Sequence, residues 1–134
     1  MDEPSRFEVI EKLIQADAFF FWGHGSSSGD LWVNPREALT QDDLNLVAFA
    51  RDLIGKPKMS MVDVHSCHSV ANASTVNLWL AMSQVVYGYP GLTASVGAFP
   101  FFLHIGRRAH FTSPIDYDPV DRYHEILEKS DKKK

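Results

Sequence analysis

The chain has a single cysteine, Cys67, among its 134 residues, so no disulfide can form within it, and no Cys-x-x-Cys pair exists to build a structural zinc site. Long apolar runs are also missing. Gly, Pro or a charged residue interrupts every hydrophobic stretch short of the roughly 18 residues a membrane span needs. Basic charge is not in excess either: 13 Lys and Arg stand against 17 Asp and Glu, a formal net charge of -4. That balance argues against nucleic acid or an anionic membrane as the partner. The opening Met1-Asp2-Glu3-Pro4 lacks the basic and apolar regions of a signal peptide, so a cytoplasmic, reducing setting is expected. No internal repeat points to a solenoid.

What is present suffices for one domain. With 45% hydrophobic residues the chain can bury a core. Phe7, Ile10, Leu13 and Ile14 recur at helical spacing, which predicts a helix over 5–15. Residues 18–22 are apolar and aromatic without alternation, which predicts a strand covered on both faces. A loop rich in Gly and Ser follows over 23–29 and leads to Asp30-Leu31-Trp32-Val33 and the turn signal Asn34-Pro35. Thr40-Gln41-Asp42-Asp43 resembles a capping box with Asp43 at its fourth position, opening a helix that stops at Gly55 and Pro57. A strand over 59–64, a helix over 72–86 closed by Gly88 to Gly91, and a β segment over 92–99 come next. Residues 101–111 fit strand or helix, with Pro100 leaning toward helix. A closing helix over 119–128 and a solvated tail over 130–134 complete an α/β pattern of alternating elements.

Two segments carry chemistry. Val62-Asp63-Val64-His65-Ser66-Cys67-His68-Ser69 delivers the cysteine from an apolar run into a polar turn, and Phe19-Phe20-Phe21-Trp22 ends likewise in Gly23-His24-Gly25. Free cysteines as a class are buried and inert. The polar neighbours His65, Ser66, His68 and Ser69 point instead to a thiol at a strand exit, ahead of a helix whose amino terminus favours a thiolate. Glycines on both sides of His24 allow close backbone approach to a ligand. If the two strands are parallel neighbours about 4.8 Å apart, their carboxyl ends bring His24 and Cys67 together as acid/base and nucleophile. Asp30 and Trp32, after the Gly/Ser loop, are placed to border a substrate pocket, with Asp63 and His65 on the cysteine strand.

The sequence resembles a family at these positions. Phe20-Phe21-Trp22-Gly23-His24-Gly25-Ser26 is similar to the "F-Y-S-G-H-G-S" strand exit of metacaspases, and Val62 to Ser69 is similar to their "D-S-C-H-S-G" cysteine motif. Leu39-Thr40-Gln41-Asp42-Asp43-Leu44 is similar to the "L-T-x-x-E-L" helix start between those motifs. The resemblance covers about residues 16–99. It implies a caspase-like three-layer α/β sandwich with a short, mainly parallel sheet, in which Cys67 is the nucleophile and His24 the acid/base. The N–H groups of Gly25 and Cys67 would form the oxyanion hole. The expected activity is cysteine-dependent hydrolysis of a peptide or protein, without metal or other cofactor.

Two departures stand out. Metacaspases carry an acidic residue two positions before the cysteine, where it helps select Arg or Lys in the substrate; here His65 occupies that place and Asp63 lies two residues further back. Only one helix precedes the histidine strand, which implies a reduced sheet whose open edge a second copy of the chain could cover. A non-catalytic binding module on the same scaffold is one alternative. Zinc held by a subset of His24, His65, Cys67 and His68 is another. His104, Arg107, Arg108 and His110 would form a basic patch if 101–111 were helical.

Overall fold

Ser5 opens the first helix: its hydroxyl accepts a hydrogen bond from Glu8 N at 3.1 Å, satisfying an amide the helix itself cannot. Helix α1 (Arg6–Gln15) follows and buries Val9, Ile10 and Leu13. The structure, a computed structural model, describes residues 4–26, 28–91, 94–96, 103–105 and 108–122. Strand β1 (Phe19–Trp22) leads through a hairpin of β2 (Leu31–Trp32) and β3 (Ala38–Leu39) to helix α2 (Gln41–Leu53). Strand β4 (Val62–His65), helix α3 (Ala73–Met82) and strand β5 (Val86–Gly88) come next, then β6 (Ala94–Val96), β7 (Leu103–Ile105) and β8 (Ala109–Phe111).

The main sheet has the order β1-β4-β5-β8. β1 and β5 run parallel to β4, and β8 closes the far side antiparallel to β5. The helix-facing side chains Val62, Val64 and Val86 are fully buried, in one core cluster with Leu13 of α1, Val47 of α2 and Val76 and Trp79 of α3. Phe19 stacks on Trp79 with ring centroids 5.6 Å apart. Each such side chain contributes roughly 1.5–3 kcal/mol by leaving water.

Several expectations are corrected here. β1 is not covered on both faces: Phe20 and Trp22 are 67% and 62% exposed, because no described element packs on that side of the sheet. The described residues therefore form two layers, helices on a sheet, and the second helical layer of a sandwich is not among them. α3 ends at Met82, four residues short of the expected boundary, since Val86 pairs with Val62 and Phe111 in the sheet, and Gly88 is a strand residue. Within 101–111 the described residues form strands over 103–105 and 109–111, with Arg108 just ahead of the second, so His110 and Arg108 do not share a helix face; Arg107 lies outside the described residues. Residues 94–96 are a strand as expected, paired with β7. Of the closing helix only 119–122 are described, and they are helical. The expected tail over 130–134 lies outside the described residues.

Two side chains fasten the helices. Thr40 and Asp43 form the capping box of α2: Thr40 Oγ1 accepts from Asp43 N, and Asp43 Oδ2 accepts from Thr40 N at 2.9 Å. Asp43, 2% exposed, also receives Arg6 Nε at 2.8 Å, which ties α1 to α2. Arg51, equally buried, donates through Nη1 to the carbonyls of Leu13 and Ala16 at 2.8 Å each and through Nη2 to Pro57 at 2.6 Å. It thus caps the carboxyl end of α1 with a cation, the sign the helix dipole favours.

Candidate active site

The parallel register of β1 on β4 sets the geometry. Phe19 lies opposite Val62 and Trp22 opposite His65, and Gly23 N donates to His65 O at 3.2 Å, carrying the pairing one residue past the strand ends. His24 and Cys67 each follow two residues after the last paired position. The two segments therefore leave the same edge of the sheet side by side.

Gly25 shows how close they come. A Cβ added there would stand 2.5 Å from Cys67 O, 2.9 Å from Ser66 Oγ and 3.2 Å from Asp30 O, so no larger residue fits without moving backbone. The loop that carries His24 is also pinned from its far side. Trp32 N donates to His24 O at 3.0 Å and Ser26 N to Asp30 O at 3.1 Å, which pairs Gly25 with Leu31 in a short antiparallel bridge. In that pattern Gly25 holds the non-hydrogen-bonded position, so the bridge does not consume its N–H. The Gly/Ser-rich loop expected over 23–29 is thus pinned as a hairpin through Gly25 and Leu31.

Cys67 is half-buried and His24 exposed. Beyond the cysteine the chain turns through His68, whose φ of 57° lies in the left-handed region. The turn holds because His68 N donates to Gly91 O at 2.9 Å, and Ser69 Oγ donates to Val64 O while accepting from Tyr89 N, at 3.0 and 2.9 Å. α3 starts only at Ala73, whose N–H donates to Asp118 Oδ1 at 2.9 Å. Cys67 therefore sits on a turn, not on the first residue of a helix. Ser66 is 1% exposed, and its hydroxyl has no hydrogen-bond partner among the described residues.

The remaining expected site residues fall into two groups. Trp32, 43% exposed, lines a groove of about 680 Å³ together with Trp22, Gly23 and His24. Asp30 contributes backbone to the hairpin, and its carboxylate accepts from Ser28 Oγ at 3.2 Å. His65 and Asp63 point from the uncovered face of β4, beneath the cysteine. His65 stacks on Trp22 with centroids 4.2 Å apart and planes 11° from parallel, and meets Tyr89 edge-on at 4.9 Å. Asp63 receives Arg108 Nη2 at 2.5 Å, and that guanidinium lies over the Tyr87 ring at 4.5 Å.

Trp22, Tyr89 and Arg108 were not expected in these roles. For Trp22 a signal existed: it precedes His24 by two residues as His65 precedes Cys67, so pairing the strands pairs the rings. Among the described residues, no three His, Cys, Asp or Glu side chains converge in a way that could hold a metal ion. His65 is engaged in its ring stack, and His68 Nδ1 lies 3.4 Å from Pro90 O. No described helix is long and apolar enough to cross a membrane. No family model matches the chain, and searches of curated proteins and of solved structures give no significant match.

Proposed function

We propose that this chain is a cysteine-dependent hydrolase of caspase-like type, cleaving peptide bonds with Cys67 as nucleophile and His24 as acid/base. The observation that carries the reading is the parallel β1/β4 register, with the His24 loop packed so closely on the Cys67 backbone that only glycine fits at position 25. His24 takes the thiol proton, and the sulfur attacks the scissile carbonyl carbon. The C–N bond breaks as His24 returns the proton to the leaving amine, leaving a thioester. Water then attacks the thioester, giving its proton to His24, and the acid departs as the thiol is restored. The Gly25 N–H, unused by its bridge, is the available donor for the oxyanion on the histidine side.

Alkylation tests this directly. Cys67 is expected to react with iodoacetamide at neutral pH faster than a free cysteine, and His24→Ala to slow it by about tenfold or more. A rate no faster than the free thiol, or one indifferent to His24→Ala, would overturn the proposal in favour of a non-catalytic module.

A further inference from the structure

We infer that the cavity on the uncovered sheet face, lined by the strand residues that lead into His24 and Cys67, seats the substrate side chain next to the scissile bond, and that it takes an aromatic or other apolar side chain, not a basic one. This rests on the cysteine-hydrolase reading. The cavity, about 270 Å³, is lined by Phe20, Phe21, Trp22, Asp63 and His65. Trp22 and His65 lie two residues below His24 and Cys67 on parallel strands, a drop of about 7 Å, which suits one side chain descending from a carbonyl at the sulfur.

The walls decide the chemistry. Phe20 and Trp22 present largely exposed aromatic faces, and the Trp22 ring is held in place by its stack on His65, itself buttressed by Tyr89. A substrate ring or branched aliphatic chain gains there by leaving water and by stacking. A lysine or arginine would need a counter-charge. The carboxylate lining the cavity, Asp63, already holds Arg108, and that guanidinium is fixed over Tyr87, so a second cation would have to displace it or enter without a partner. His65, where the resembling family has an acidic residue, supplies no carboxylate.

Three peptidyl acyloxymethyl ketones that differ only in the residue beside the ketone, Phe, Arg or Asp, test the assignment by their rates of Cys67 labelling, read by intact mass. The Phe compound is expected to label wild-type protein at least about tenfold faster than either other. His65→Asp adds an unpaired carboxylate and is expected to raise the Arg-to-Phe rate ratio by about tenfold. Should that variant not fold, Trp22→Ala is expected to lower the Phe-to-Arg ratio instead. Equal rates, or an Arg or Asp preference in a protein that iodoacetamide alkylates rapidly, would overturn the pocket assignment and leave the hydrolase standing. Slow reaction with every reagent, iodoacetamide included, would remove both.

Discussion

Gly25 and His68 bear the tightest constraints in the site, for different reasons. At Gly25 the obstacle is backbone: the Cys67 carbonyl would lie 2.5 Å from a new methyl group, and a carbonyl cannot rotate aside as a side chain can. Gly25→Ala is expected to lower stability by about 1–3 kcal/mol, measurable as a fall in denaturation midpoint, and to slow Cys67 alkylation by moving the His24 loop away. An unchanged midpoint would show that the two segments are not in contact. At His68 the constraint is the left-handed φ, which β-branched residues resist most. The sequence showed which residue types were present at both places. It did not show that position 25 faces a carbonyl, because that neighbour is more than forty residues away.

At the scale of the element, α2 shows local sequence chemistry acting as written. Thr40 and Asp43 form their capping box, and Arg6 adds a charged hydrogen bond that holds the Asp43 carboxyl below its usual range against the opposing effect of burial. A carboxyl with a depressed folded pKa stabilises above its unfolded value and loses that contribution as pH falls through the folded one. Asp43→Asn is therefore expected to cost about 1–2 kcal/mol at neutral pH. The difference from wild type should shrink below about pH 4. A gap that stays constant down to pH 2 would refute the ionic part of this account. β1 behaves differently. Four consecutive aromatic residues carry no alternation, so the sequence suggested cover on both faces where the fold gives a half-buried edge strand. The ambiguity of 101–111 has the same origin, since short apolar runs fit either period.

Across the whole molecule, Arg51 joins elements that are far apart in sequence. Its guanidinium is the shared donor for the end of α1 and the approach to β4 at Pro57. Arg51→Met would remove the donor from the buried Leu13 carbonyl and from the partly buried carbonyls of Ala16 and Pro57, and a loss of about 1–3 kcal/mol in unfolding free energy is expected. Arg51→Lys should recover only part of it, because one ammonium cannot reach both sets of carbonyls. Equal stability of Arg51→Met and wild type in denaturant titration would contradict this role. The sheet face opposite the helices is the other molecular feature: Phe20, Trp22, Asp63 and His65 alternate with more buried neighbours and line the cavity assigned above to the substrate, while Tyr87 on the same face seats Arg108.

The sequence by itself determined the helix starts at Ser5 and Thr40, the strand that leads to Cys67, and the presence of a histidine and a thiol just beyond two apolar segments. These depend on neighbours within a few residues, where side-chain type and period govern the outcome. Only the tertiary structure decided that β1 lies beside β4 in register, that Trp22 covers His65, and that Arg108 occupies Asp63. Each of those is a pairing across dozens of residues, and nothing in local propensity selects one distant partner over another. The first goes with the burial of Val62, Val64, Trp79 and Leu13 in one core, and the other two follow on the opposite face from the β1/β4/β5 register it sets.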